Sequence, residues 1–326
     1  MRAAALVGLL GAMAAAGEIG ARLVAPPVHR GPRELPAKIR LNSREFHDVE
    51  HAVEKRPDVR RVLCLGDSFT FARDVAIDRN YCALLAPLAA EGVPGARVEP
   101  INYAHEGYST AHEVRMLENK GGLELAPDVI VLGYVLNDPE DEWHPLKRDA
   151  LREPTLRREP LGAWAGLTRA SALARLAFER LENTRRYHAL VAYYHRLHAD
   201  DHPGWQQCRD AFARLGEITR ERGIPVLVAI FPLLDFPLGA RYPFGELHAQ
   251  VAALARANGL AALDLRPALA PRAGPERLRV PGVDPHPSTQ AHHLVARAIA
   301  DEIARQGWLA APPSPSSEPA AATPAP

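Results

Sequence analysis

The chain has 326 residues, 47% of them hydrophobic, which is enough to bury a full core and excludes an intrinsically disordered protein. Lys plus Arg and Asp plus Glu both number 39, so the formal net charge is zero and no chain-wide field draws the protein to nucleic acid or to an acidic surface. A neutral small molecule is the partner that fits this balance.

In chain order, Met1-Arg2 precedes an apolar stretch from Ala3 to Ala16 that ends in small residues. Residues 1–24 therefore read as a signal peptide or an uncleaved signal anchor, placing the protein in the periplasm or outside the cell, with an uncleaved segment as its tether to the inner membrane. Glu18 and Arg22 count against a long span, which needs about 20 apolar residues, and a plain buried helix is the alternative. Residues 25–60 are rich in Pro and Arg without a sustained period and read as a connecting arm.

The pattern then sharpens. Arg61 to Leu65 is a short β-rich run leading into Gly66-Asp67-Ser68, a buried strand followed by a tight turn. A helix is predicted from Asn80 to Glu91, a second strand from Arg97 to Asn102 and a helix from Glu113 to Leu123. Asp128 to Gly133 is a third strand, apolar as a central strand covered on both faces should be. From Glu140 to about Gly204 the alternation is interrupted by a largely helical insertion, in which Ser171 to Leu197 spaces apolar residues three and four apart among arginines. An amphipathic helix from Gln206 to Arg222, a fourth strand from Ile224 to Pro232, a helix from Gly245 to Asn258, a short fifth strand from Ala261 to Leu265 and a final helix from Ser288 to Gln306 follow. Residues 311–326 are dominated by Pro, Ala and Ser and are expected to be disordered.

Five strands separated by helices predict a three-layer α/β sandwich around a central, mostly parallel five-stranded sheet, with the helical insertion added to it. Ligand sites in such sheets lie outside the carboxyl ends of the strands. That rule selects Asp67 and Ser68 after strand one, Tyr103 to Tyr108 after strand two, Leu136 to Asp138 after strand three, and Asp284 to Ser288 before the last helix. The three cysteines, Cys64, Cys82 and Cys208, are too few for a disulfide framework, though a single bridge stays open; Cys64, inside an apolar run, reads as a small buried hydrophobe.

A serine hydroxyl attacks a carbonyl only when a base takes its proton, and a tight strand-to-helix turn can expose it while aiming backbone N–H groups at the substrate. Ser68 meets that description, with a helix N-cap as the plainer reading. Gly66-Asp67-Ser68-Phe69-Thr70 resembles the nucleophile block of the GDSL/SGNH hydrolases, and the other blocks of that family have counterparts in order. Gly107, within Asn102 to Tyr108, matches the family's glycine; Asn137, within Gly133 to Asp138, matches its asparagine; His286 matches its base. Family members commonly space the last block Asp-x-x-His, whereas Asp284-Pro285-His286 is one residue shorter. Asp284 is the first choice for the orienting carboxylate, Asp264 the reserve, and a Ser68–His286 dyad with a backbone carbonyl the third arrangement.

The resemblance covers about residues 60 to 305 and implies a flavodoxin-like SGNH hydrolase domain over 61–310, without cofactor or metal. It implies a serine esterase that forms an acyl-enzyme on Ser68, with an oxyanion hole built by the amides of Ser68 and Gly107 and the side chain of Asn137. Its substrates would be O-acyl esters, such as acetyl esters on carbohydrate or short-chain acyl esters. An O-acyltransferase on the same site and a non-catalytic binding module on the same fold are the alternatives. His292 and His293 are adjacent on the last helix and so face different ways, which argues against a metal site with His286. The HExxH and P-loop patterns are absent. The insertion reads either as a lid or pocket wall, lined by Tyr187, Tyr193, Tyr194, His188, His195 and His198, or as a self-packed helical pair.

Overall fold

The structure is a computed structural model that describes residues 2–24, 39–92, 97–140, 163–270, 278–280 and 286–309. In chain order the elements are α1 (Arg2–Val24), β1 (Val59–Gly66), α2 (Ser68–Phe71), α3 (Tyr81–Gly92), β2 (Arg97–Ala104), α4 (Thr110–Asn119), β3 (Val129–Tyr134), α5 (Ala163–Ala170), α6 (Ala172–Leu197), α7 (Pro203–Glu221), β4 (Val226–Ile230), α8 (Gly245–Ala257), β5 (Ala261–Asp264), α9 (Arg266–Leu269) and α10 (Thr289–Gln306), with a 3-10 turn at Leu123–Leu125. They fall into two compact units, residues 1–34 with 139–205 and residues 35–138 with 206–326.

The larger unit is built on a five-stranded sheet in the order β2-β1-β3-β4-β5. All four pairings are parallel, and helices flank the sheet. Val62 to Leu65, Val129 to Leu132 and Val226 to Ile230 are fully buried, which is why these strands are apolar throughout instead of alternating. Gly66 pairs with Ala104 on one side and Gly133 on the other, and Gly133 pairs with Ala229, so these strands end at one level. The chain winds outward from β1 to β2 and then returns to place β3 on β1's other side. Reversed winding opens a crevice above the carboxyl ends of β1 and β3.

Residues 46–54 belong to this unit. Phe46 packs on Tyr103 with ring centroids 4.2 Å apart, and His47 is buried with its Nδ1 3.0 Å from the Phe71 carbonyl oxygen. Asp48 Oδ2 accepts the Asn102 N–H at 2.7 Å, satisfying a donor on the edge strand β2. The buried Arg61 guanidinium donates to the carbonyls of Ala52 and Val53 and to Glu99 Oε2, which fastens this stretch to β1.

In the smaller unit α1 packs with α6. Glu18 of α1 accepts the Ala172 N–H at 2.9 Å, the Leu173 N–H at 3.1 Å and the Ser171 hydroxyl at 2.7 Å, so an acidic side chain from a different helix caps the N-terminus of α6. These bonds, led by the Ala172 amide, hold the Glu18 carboxyl down to about 2. Among the described residues no helix is long and apolar enough to cross a membrane, so the membrane tether expected of residues 1–24 gains no support. The tail expected to be disordered, residues 311–326, lies outside the described residues.

Candidate active site

The site begins with two glycines. A Cβ on Gly66 or on Gly133 would collide with the Thr70 side chain, so Thr70 lies in the gap that both leave, its Oγ1 3.0 Å from the Tyr81 hydroxyl. Those absent side chains let the chain turn straight from β1 into the single turn of α2. Asp67 is fully buried and caps this turn through Oδ1, which accepts the Phe69 N–H at 2.9 Å. Ser68 is the first residue of α2 and remains half-buried, so its hydroxyl faces the crevice with access to solvent.

His286 is the partner that meets this hydroxyl. Its Nε2 stands 2.9 Å from Ser68 Oγ although the residues are 218 positions apart. The ring is positioned by its own loop: Arg279 and Pro287 form an antiparallel bridge, the Val280 N–H donates to the His286 carbonyl at 3.1 Å, and the Ser288 N–H donates to the Leu278 carbonyl at 2.8 Å. Arg279 ties this loop to Asp235 at 2.5 Å, and Ser288 caps α10. The Phe69 ring lies 5.4 Å from the imidazole. With Nε2 on the serine, Nδ1 is the nitrogen an orienting carboxylate would meet. Asp284 lies outside the described residues.

Asn137 and Gly107 reach the same rim through other bonds. Asn137 is half-buried after β3, and its Nδ2 donates to Asp67 Oδ2 at 3.2 Å, so the residue before the serine also holds the asparagine. Gly107 is exposed and adopts φ 73°, the left-handed conformation that favours glycine. Its loop is fastened to β1 by the His105 N–H, which donates to the Gly66 carbonyl at 3.1 Å, and to the exit of α2 by the Arg73–Glu106 ion pair. The structure thus joins Ser68 to His286 directly, Asn137 to the serine turn through Asp67, and the Gly107 loop through Gly66.

A sequence model of the GDSL-like lipase/acylhydrolase family matches residues 64–294, a span that contains all of these residues. The chain belongs to this family. It is a carboxylic ester hydrolase on the flavodoxin-like α/β fold of that family. Among solved structures it is similar to TesA, at 17% identity over 75% of this chain and 98% of that one with a TM-score of 0.44. It is also similar to a catalytic mutant of Axe2, an acetylxylan esterase from Geobacillus stearothermophilus, at 16% identity over 75% and 94% with a TM-score of 0.44. A two-domain esterase active on acetylated mannans shares 14% identity over 79% and 53% with a TM-score of 0.45. A search of curated proteins returned no match.

Other candidate residues of this GDSL-like hydrolase are engaged elsewhere. Asp264 accepts His248 Nδ1–H at 2.8 Å and the Arg266 N–H at 2.9 Å; burial pushes its carboxyl up, but these donors hold it below the usual carboxylate range. His248 Nε2 in turn lies 3.1 Å from the Tyr242 hydroxyl, which accepts the Leu233 N–H, so the reserve carboxylate orients the β4–α8 loop. His292 is fully buried, stacks on Tyr81 and accepts the Tyr81 N–H through Nδ1 at 3.1 Å. Burial pushes its imidazole down to about 3, so it is neutral. No group of three or more His, Cys, Asp or Glu suited to a metal occurs among the described residues. Cys64, Cys82 and Cys208 are buried and free, and burial pushes the Cys82 and Cys208 thiols well up, so neither supplies a thiolate. Within the smaller unit Tyr187 packs edge-on against His188 and Tyr193 edge-on against Tyr194, while His198 lies tilted against Trp205.

Proposed function

We propose that this hydrolase cleaves O-acyl esters through an acyl-enzyme on Ser68. The observation that carries the reading is the 2.9 Å contact between His286 Nε2 and Ser68 Oγ on an accessible rim of the sheet. His286 takes the hydroxyl proton as Ser68 Oγ attacks the ester carbonyl. Asp284 holds the Nδ1–H side of the ring and stabilises the imidazolium. The developing oxyanion is received by the amides of Ser68 and Gly107 and by the Asn137 side chain. His286 then protonates the departing alcohol, and a water activated by the same ring releases the acid.

Short acyl esters on a carbohydrate are the substrate class we place first. Tyr108 stacked on His105 and the Arg73–Glu106 pair border the Gly107 loop with aromatic faces and charged hydrogen-bonding groups, which suit a hydroxyl-rich alcohol portion. Ser68→Ala tests the chemistry: p-nitrophenyl acetate turnover should fall by at least about 10³-fold, and a wild-type rate would contradict it. Acetate release from acetylated xylan oligosaccharides, set against release of long-chain acid from a triacylglycerol emulsion, tests the substrate class. Faster hydrolysis of the emulsion would contradict the carbohydrate assignment.

A further inference from the structure

Two buried side chains meet the exit of α2, the turn that carries Ser68, and the acyl-enzyme chemistry gives neither a task. His47 has its Nδ1 3.0 Å from the Phe71 carbonyl oxygen, and Asn102 of β2 donates through Nδ2 to the Thr70 carbonyl at 3.0 Å. A carbonyl only accepts, so the His47 ring carries its hydrogen on Nδ1. The other ring nitrogen, Nε2, meets no hydrogen-bond partner among the described residues.

Each of these bonds passes through one peptide unit to the nucleophile turn. The Phe71–Ala72 peptide accepts His47 through its oxygen and, through the Ala72 N–H, donates to the Ser68 carbonyl at 3.0 Å. The Thr70–Phe71 peptide accepts Asn102 through its oxygen and, through the Phe71 N–H, donates to the Asp67 carbonyl at 2.9 Å. A peptide unit is planar, so a donor that pins its oxygen also sets the direction of its N–H. Pinning matters most at Ala72, which leaves α2 at φ 58° and ψ 49°. A residue with a Cβ holds that left-handed conformation only where its surroundings impose it. His47 is itself anchored on β2, because the neighbouring Asp48 accepts the Asn102 N–H at 2.7 Å and faces His51 Nε2 at 3.1 Å. It lies before the span that the family model matches, residues 64–294.

We propose that His47 is a positioning residue for Ser68: its Nδ1–H holds the Phe71–Ala72 peptide in the orientation that anchors the Ser68 carbonyl, and so keeps the hydroxyl 2.9 Å from His286. Asn102 supports the adjoining peptide in the same way. This inference rests on the acyl-enzyme reading of Ser68.

The test uses the full chain with three substitutions. His47→Asn places an amide donor where Nδ1 stands, His47→Leu fills the space without a donor, and His47→Gln moves the donor one methylene further out. We expect kcat/KM for p-nitrophenyl acetate, per mole of folded protein, to fall about tenfold in His47→Leu and in His47→Gln. In His47→Asn it should stay within about threefold of wild type. Losses of this size suit a loosened nucleophile, since a misplacement of about 1 Å can cost about 10²-fold. A role in packing alone would order the variants the other way, because leucine fills the space better than asparagine. Hydrogen exchange at the Ala72 amide should quicken at least about tenfold where the donor is lost and stay near wild type in His47→Asn. A wild-type rate in His47→Leu, an equal loss in His47→Asn and His47→Leu, or Ala72 exchange indifferent to the donor would overturn the proposal. Should His47→Leu not fold, His47→Gln set against His47→Asn decides it by the same outcomes. Labelling of the wild type by a fluorophosphonate separates the two readings. Absence of a Ser68 adduct fails the acyl-enzyme chemistry, whereas Ala72 exchange still judges the link from His47 to the nucleophile turn.

Discussion

Asp67→Asn separates what the residue before the nucleophile does for the fold from what it does for the rim. Asp67 uses one oxygen to cap α2 and the other to hold Asn137. An asparagine can reproduce the first bond, since Asn and Asp are about equal as N-caps and only their loss to Ala costs about 1 kcal/mol. It cannot reproduce both at once. With its oxygen on the Phe69 N–H, its amide nitrogen meets the Asn137 amide nitrogen, donor against donor. Asn137 then loses its anchor. Complete loss of an oxyanion donor costs about 10²–10³ in turnover, or roughly 3–4 kcal/mol, and an unanchored donor should lose part of that. We expect kcat down about 10- to 100-fold and KM within about twofold, because the lost interaction belongs to the transition state. Stability should fall by no more than about 1–3 kcal/mol, since the Phe69 cap is kept and only the Asn137 bond is lost. Steady-state kinetics on p-nitrophenyl acetate and a thermal melt read both quantities. An unchanged kcat, or a loss confined to KM, would refute the reasoning.

Two further expectations concern histidines. Asp284→Asn should lower kcat about 10²- to 10⁴-fold, as losing the carboxylate that orients a catalytic imidazole does, and a wild-type rate would assign that task to another group. His292 is displaced from 6.5 to about 3, so the folded state binds a proton less readily than the unfolded chain. Its contribution is therefore complete above about pH 6.5 and lost below it, at about 1.4 kcal/mol per pH unit. His292→Asn keeps an acceptor for the Tyr81 N–H. Its melting temperature should fall less than that of the wild type between about pH 8 and about pH 5, and an equal fall would contradict the assignment. His51 works in the opposite sense: burial lowers it, but Asp48 and Glu99 raise it on balance, and its contribution cancels in the comparison of the two proteins.

The sheet was legible because its central strands are buried on both faces, so Val129 to Leu132 and Val226 to Ile230 read as unbroken apolar runs. The helices read from Ser171 and Ser288 do begin there, because each serine caps the following turn with its side chain. Ser68 and His286 were legible as motifs, and the structure brings them to 2.9 Å. What stayed hidden depends on contacts between distant residues. The burial of Phe46 and His47 is set by Tyr103 and Phe71, and nothing periodic within residues 25–60 announces it. The bridge between Arg279 and Pro287 pairs two short stretches with no strand pattern of their own. Asp264 looked available as a reserve carboxylate until His248, 16 residues earlier, was seen to hold it. Glu113 was invisible for a different reason: amphipathic patterning turns glutamates outward, and this one is fully buried on α4. α4 also begins at Thr110, three residues before the position expected, because Ser109 occupies its N-cap.

The most direct test of the acyl-enzyme on Ser68 is to quench p-nitrophenyl acetate turnover in acid within milliseconds and map the acetyl group by peptide mass. The predicted result is one acetyl group on the peptide that contains Ser68, forming in a burst and absent from Ser68→Ala and His286→Ala. Turnover with no acylated peptide, or with the acetyl group on another residue, would contradict it.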